Sequence, residues 1–301
     1  MAPTVITLSR RLGPVLPAAA LPALRAASAV YADASVPAEL AAAAQARPLP
    51  ADVPADAVVL TCEPGGIETP EPPGARLLDA VAVMDRLRSP GGCPWDAEQT
   101  HESLLRYLVE ETYELYQAIE DGDRADMREE LGDVLLQVLF HARVAEEAPE
   151  AAFDVDAVAD GLVTKLVGRH PHVFGEGERI ETATAQEGRW EELKRTEKQR
   201  ASSVDGVPLG QPAVALAAKL VSRTRKAGLP ADLLPDGDGI GPDLFRRIAA
   251  AARAGQDPEA ELRTTARAFA ETVRAAERQA VAEGATPHAL DEDAWRRAWP
   301  A

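Results

Sequence analysis

Two runs of apolar residues at helical spacing flank a single glycine turn, and this pattern constrains the fold more than any other feature of the chain. Leu104, Leu108, Thr112, Leu115 and Ile119 recur at intervals of three and four, which is one face of an α-helix. Met127, Leu131, Val134, Val138 and Ala142 repeat the pattern. Between them stands Glu-Asp-Gly-Asp at 120–123, where Gly122 is the natural turn residue. Thr100 and Asp123 are placed to cap the two segments. The spacing predicts an αα-hairpin.

The same hairpin is loaded with acid. Glu110, Glu111 and Glu114 precede the turn, and Glu129, Glu130 and Asp133 follow it. At about 100° per residue, the first three share an arc of roughly 100°, and Glu130 and Asp133 also share a face. If the chain reverses at Gly122, residues level with one another are those symmetric about that number. Glu114 then faces Glu130, and Glu111 faces Asp133. Four carboxylates converge roughly two to three turns from the loop. Left empty, such a cluster raises the pKa of some members by repulsion, and a divalent cation removes that cost. Two solvated helix faces are the plainer alternative, but such faces tend to interleave Lys or Arg with acids. These stripes do not.

The ligand types narrow the cation. Carboxylate oxygens suit Mg²⁺, Mn²⁺ or Ca²⁺, whereas zinc favours His and Cys. Di-iron bundles use Glu-x-x-His, and here the corresponding motifs are Glu111-x-x-Glu114 and Glu130-x-x-Asp133. The turn also lacks the Asp-x-Asp-x-Asp-Gly opening of an EF-hand. Mg²⁺ usually completes its shell with water and substrate phosphates, so the substrate expected is a polyphosphate.

At this point the run CPWDAEQTHESLLRYLVEETYELYQAIEDGD (93–123), followed by REELGDVLLQVLFHARVAEE (128–147), resembles the MazG family of nucleoside triphosphate pyrophosphohydrolases. KLVGRHPHVFGE (165–176), WEELK (190–194) and DGVPLGQPA (205–213) resemble its later segments in order. The resemblance implies an all-α, usually dimeric fold and Mg²⁺-dependent release of pyrophosphate from nucleoside triphosphates. By motif position it implies metal ligation by Glu111, Glu114, Glu130 and Asp133, and phosphate and base contacts by Lys165, Arg169 and Trp190. Gly168 stands where members often have a second Arg, and Asp126 where some carry a Lys, which implies fewer phosphate contacts. Some members hold two tandem copies of the domain; this sequence has one.

Lys165 and Arg169, four apart, form a cationic ridge suited to phosphate oxygens, as an acidic site that binds an anion requires; pairing with nearby acids is the simpler use. Trp190 serves equally to stack on a base or to cap the core. Glu110, beside the acid set, is the candidate general base. His101, His141, His170 and His172 read as hydrogen-bonded packing residues. In Cys93-Pro94-Trp95-Asp96, Pro94 and Trp95 are expected to pack and Asp96 to cap.

The remaining sequence bounds this reading. A hydrophobic fraction of 46% over 301 residues supports a substantial core. A net charge of −17 argues against nucleic-acid polymers and anionic membranes as partners. Cys62 and Cys93 alone make no disulfide framework, and Pro14, Pro17 and Pro22 interrupt the one stretch resembling an export signal, so a cytoplasmic protein is expected. Residues 1–75 alternate β-like pieces (VITL at 4–7, AVVLTC at 57–62) with helix-like ones and end in a Pro/Gly-rich linker. They match no family motif, and a reduced relic of the methylase-like domain fused to some relatives is one reading. The expected organisation is mainly all-α: a small N-terminal α/β appendage (1–75), a MazG-like catalytic helical bundle (76–228) and a C-terminal helical tail (229–301). In that tail, 243–283 return to helix with a stripe at Leu262, Phe269 and Val273. The function expected is Mg²⁺-dependent hydrolysis of nucleoside triphosphates, with Mn²⁺ as substitute, by a homodimer that cleans nucleotide pools. A catalytically silent nucleotide- or partner-binding regulatory module is the alternative.

Overall fold

The structure is a computed structural model that describes residues 2–13, 15–175, 182, 186, 189, 201–286 and 289–300. It is mainly helical, with one small parallel sheet. The chain divides into two compact units, Met1–Gly177 and Glu178–Ala301.

The first unit opens with strand β1 (Thr4–Thr7), helix α1 (Leu21–Ala26), β2 (Val30–Ala32), α2 (Ala38–Ala43), β3 (Arg47–Pro48), β4 (Val58–Thr61) and β5 (Ile67–Glu68). The strands are parallel in the order β3-β2-β4-β1-β5. Parallel strands are covered on both faces and read as unbroken apolar runs. Val58, Val59, Leu60 and Thr61 accordingly are all buried, and Ile6 and Leu60 pack with Leu40 of α2. The α/β character expected at 4–7 and 57–62 is present. Arg11, just after β1, fastens this region to the linker and the first long helix, bonding Glu71 at 2.8 Å and Asp79 at 2.7 Å.

Helices α3 (Leu77–Arg88), α4 (Pro94–Glu98), α5 (His101–Asp121), α6 (Arg124–Glu146), α7 (Val155–Arg169) and α8 (Pro171–Phe174) complete this unit. Thr100 caps α5 through a reciprocal bond pair with Ser103. Gly122 ends it at φ +69°, in the left-handed conformation. Asp123 then caps α6, its carboxylate accepting from Ala125 N at 2.8 Å and Asp126 N at 3.2 Å. A turn this short returns α6 antiparallel along α5. Met84 of α3, Leu104 of α5 and Leu139 and Phe140 of α6 form the core beneath them.

The expected face of α5 is largely kept, with Leu104 buried and Leu108 and Leu115 half-buried, whereas on α6 only Ala142 of the expected stripe is fully buried. Ile119, Leu131 and Val138 are 57%, 52% and 42% exposed, while α6 buries Gln137, Leu139, Phe140, Ala142 and Ala145. Residues 134–140 (VLLQVLF) are apolar around most of the helix, so periodicity leaves the choice of face open, and α3 packs against the Leu139 and Phe140 side. Asp96 is no cap: α4 opens at Cys93 without a side-chain cap. Instead, Arg88 donates to the Asp96 and Gln99 carbonyls, and its guanidinium pairs with Glu147 at 2.7 Å.

The second unit holds α9 (Ala213–Lys226), α10 (Ile240–Arg253), α11 (Pro258–Ala282) and α12 (Glu292–Ala298). The helical stretch expected over 243–283 is thus broken near Gly255. Leu262 and Phe269 are 57% and 60% exposed and do not form a core stripe. Small residues do so instead: Ala276 and Ala280 meet Ala298, with Leu290 and Trp295 packed around them. Among the described residues no helix is long and apolar enough to cross a membrane.

Candidate metal centre on the helical hairpin

Because α5 and α6 run antiparallel from Gly122, acids at matching distances from the turn meet. One carboxylate oxygen each from Glu111, Glu114 and Glu130 lies within 4.8 Å of the other two. Glu114 is exposed, and the other two are half-buried. Oε2 of Glu130 is itself buried and has no hydrogen-bond partner among the described residues.

The electrostatics report the same crowding. Partial burial raises the pKa of Glu111, with further contributions from Asp133, Glu114, Glu130 and Glu110. Glu130 is raised by burial and then by Glu114, Asp133, Glu129 and Asp126. The charge acting most on Glu111 is therefore Asp133, and on Glu130 it is Glu114, the pairing that reversal about Gly122 dictates. Asp133 is half-buried beside the trio but outside the 4.8 Å set.

These residues fit a hard divalent cation. Oxygens at about 2.1–2.4 Å from one ion are at most about 4.2–4.8 Å apart, so the three observed oxygens lie within the span of one coordination sphere. The donor set is all carboxylate, which selects for magnesium, manganese or calcium over zinc or copper.

Beside the trio lies a groove of about 370 Å³, lined by Glu110, Tyr113, Glu114, Gln117, Ala118 and Asp121 of α5 and by Asp126 and Glu130 of α6. Tyr113, Gln117 and Asp121 are lining residues that sequence reasoning passed over. Their signal was there, since 110, 113, 114, 117 and 121 follow one helical stripe. Gln117 donates to Asp121 at 2.5 Å. Glu110 lines the groove, one residue before the trio's Glu111.

Lys165 and Arg169 stand one turn apart at the end of α7, the first exposed and the second half-buried, and neither lines the groove. Trp190 lies outside the described residues. His170 Nδ1 contacts the Leu166 carbonyl at 2.6 Å, and His101 and His141 pair with each other across α5 and α6. Cys62 and Cys93 are both free thiols.

Comparison with known proteins adds a second line. The MazG nucleotide pyrophosphohydrolase domain matches residues 99–174. The MazG N-terminal domain matches residues 3–77, so the stretch in which no family motif was legible has a counterpart of its own. The chain is 54% identical over 206 residues to a Streptomyces cacaoi protein described as an uncharacterized 26.1 kDa protein in the blaB 3' region, covering 68% of this chain and 84% of that one. It is 50% identical over 251 residues to the nucleoside triphosphate pyrophosphohydrolase of Mycolicibacterium smegmatis, covering 78% and 73%. With the like-named protein of Escherichia coli K12 it shares 41% identity over 152 residues, 49% and 57% of the two chains.

Proposed function

Since the chain belongs to the MazG family of nucleotide pyrophosphohydrolases, we propose that the α5–α6 hairpin hydrolyses nucleoside triphosphates to monophosphate and pyrophosphate with the help of Mg²⁺. The chain is an enzyme of the nucleoside triphosphate pyrophosphohydrolase class. The observation that carries the proposal for the hairpin is the convergence of Glu111, Glu114 and Glu130 within 4.8 Å. A silent regulatory module has no need for three carboxylates held against their own repulsion.

Glu111, Glu114 and Glu130 would hold the cation, with Asp133 as the fourth acid of the set on the facing helix. Bound Mg²⁺, or Mn²⁺ in its place, supplies charge stabilisation at the phosphoryl oxygens and lowers the pKa of the attacking water. Glu110, which lines the groove, would take the proton from that water. Lys165 and Arg169 offset the charge gathering on the leaving pyrophosphate. Trp190 offers an indole face for the base. A groove without basic residues among its described lining suits the cation-bound end of the substrate, leaving phosphate neutralisation to α7.

A second copy of the chain is the natural cover for α5. Leu105, Val109, Tyr116 and Ile119 form an exposed apolar stripe along it, of the kind that marks an association surface. Removal of surplus or non-standard nucleotides in the cytoplasm is the role this activity would serve.

Purified chain incubated with mixed nucleoside triphosphates and Mg²⁺ tests the proposal. Phosphorus NMR is expected to show monophosphate and pyrophosphate in equal amounts. Diphosphate with orthophosphate would move the attack away from the α-phosphorus, and no turnover would overturn the reading.

A further inference from the structure

Gln137 is 3% exposed, and its amide oxygen has no hydrogen-bond partner among the described residues. A buried acceptor left without a donor costs on the order of 1–3 kcal/mol. Native proteins leave few such groups, and each one calls for a cause.

The position of Gln137 supplies one. It follows Asp133 by four residues and Glu130 by seven, so it lies within about 40° and 20° of their direction around α6, roughly one and two turns further along. The reversal about Gly122 that sets Glu114 against Glu130 and Glu111 against Asp133 sets Tyr107 against Gln137. Near its far end the same seam brings His101 to His141, with Nδ1 atoms 2.8 Å apart. Three α6 side chains along this seam hold a buried polar atom without a partner among the described residues: Oε2 of Glu130, Oε1 of Gln137 and Nε2 of His141.

Oε2 of Glu130 and Oε1 of Gln137 can only accept, and neither meets a donor among the described residues. Among the described residues no Lys or Arg lines the adjoining groove. Water supplies donors, provided it finds two to four polar partners. A small, hard cation held by a few carboxylates keeps several waters. We propose that Gln137 is a positioning residue of the hydrolytic site, its amide oxygen accepting a hydrogen bond from water in the hydration shell of the cation. This rests on the reading of Glu111, Glu114 and Glu130 as cation ligands. The amide neither takes nor gives a proton at neutral pH, so it orients water, and proton removal stays with a carboxylate.

Mn²⁺ alone, bound to the full chain, tests the assignment through its paramagnetic resonance and the relaxation of water protons around it. Gln137→Met replaces the amide with an apolar chain of equal length. It is expected to melt no lower than wild type, since an unsatisfied acceptor is gone, yet to bind Mn²⁺ about ten- to a hundredfold more weakly, as loss of an outer partner does. Water relaxation per bound ion should change, and kcat should fall with KM for triphosphate little altered. Gln137→Asn keeps the amide but withdraws its oxygen by one carbon, and the same weakening is expected if the Met variant fails to fold. Equal Mn²⁺ affinity and relaxation in wild type and the Gln137 variants, with Glu114→Gln clearly weakened, would make the amide a packing group and overturn the inference alone. If Glu114→Gln binds Mn²⁺ as wild type does, the cation reading falls and takes this inference with it.

Discussion

The Nδ1 atoms of His101 and His141 lie 2.8 Å apart, with their rings 5.1 Å apart and inclined by only 4°. One ring must donate and the other accept, so the contact requires at least one neutral imidazole. Burial, with a smaller push from His101, lowers the pKa of His141. Its folded form therefore takes up a proton later than the unfolded chain does, near 6.5. Stability is then present above that value and is lost as pH falls toward the lowered one. Melting temperatures measured from pH 7.5 to 5.5 should fall more steeply for wild type than for His141→Phe. Parallel curves would show that the pair contributes nothing to acid sensitivity.

At the acid cluster the sign is opposite. The folded-state values of Glu111 and Glu130 are raised, so stability is greatest below the ordinary carboxylate value of 4.5 and is lost as pH rises through the raised ones. Glu114→Gln removes one of the charges responsible. In chelator at pH 7 the variant should melt at or above the wild-type temperature, and the difference should shrink toward pH 4. Pyrophosphate release should fall by at least about a hundredfold. Glu102→Gln, in the exposed first turn of α5, should change neither.

Glu147 is a different case, because it answers a buried cation. The Arg88 side chain is 3% exposed and its guanidinium lies 5.6 Å from the Phe140 ring centroid. Hydrogen bonding to Arg88 holds Glu147 below the usual carboxylate range. Glu147→Gln should cost on the order of 2 kcal/mol, less than for a fully buried pair because Glu147 is 40% exposed. The loss should vanish below the pH at which Glu147 protonates. Urea unfolding at pH 7 and in steps below the ordinary carboxylate value of 4.5 measures both parts.

The hairpin and its caps were legible because each has a local cause: Gly122 for the turn, Thr100 and Asp123 for the helix starts, and symmetry about 122 for the meeting of Glu114 with Glu130. The buried face of α6 was not. Leu131 and Phe140 are equally apolar, and only the packing of α3 makes Phe140 core and leaves Leu131 at the surface. Gln137 was overlooked for a similar reason, since a polar letter in an apolar run gives no sign of burial. The buried roles of Arg88 and Glu147 depend on residues 59 positions apart, a separation no periodicity carries.

Gly122 can be tested apart from the acids. A Cβ built there meets nothing within 4 Å, so the cost of Gly122→Ala is the left-handed backbone alone, about 1–2 kcal/mol. Activity per folded molecule should survive. One residue inserted after Gly122 should instead rotate α6 by about 100° against α5 and abolish cation binding while leaving helix content intact. Isothermal titration with Mg²⁺ alongside circular dichroism separates the two outcomes.

That turn also bears on how the chain acquires its site during synthesis. Glu111, Glu114, Glu130 and Asp133 all come from one uninterrupted hairpin, and loops of this length close far sooner than distant segments can find each other. These carboxylates can come together as soon as residue 133 and the turn of helix beyond it are free of the ribosome, before α7 or the second unit exists. A cation taken up then would act as an early clamp on the nascent chain, drawing together two helices whose own charges push them apart.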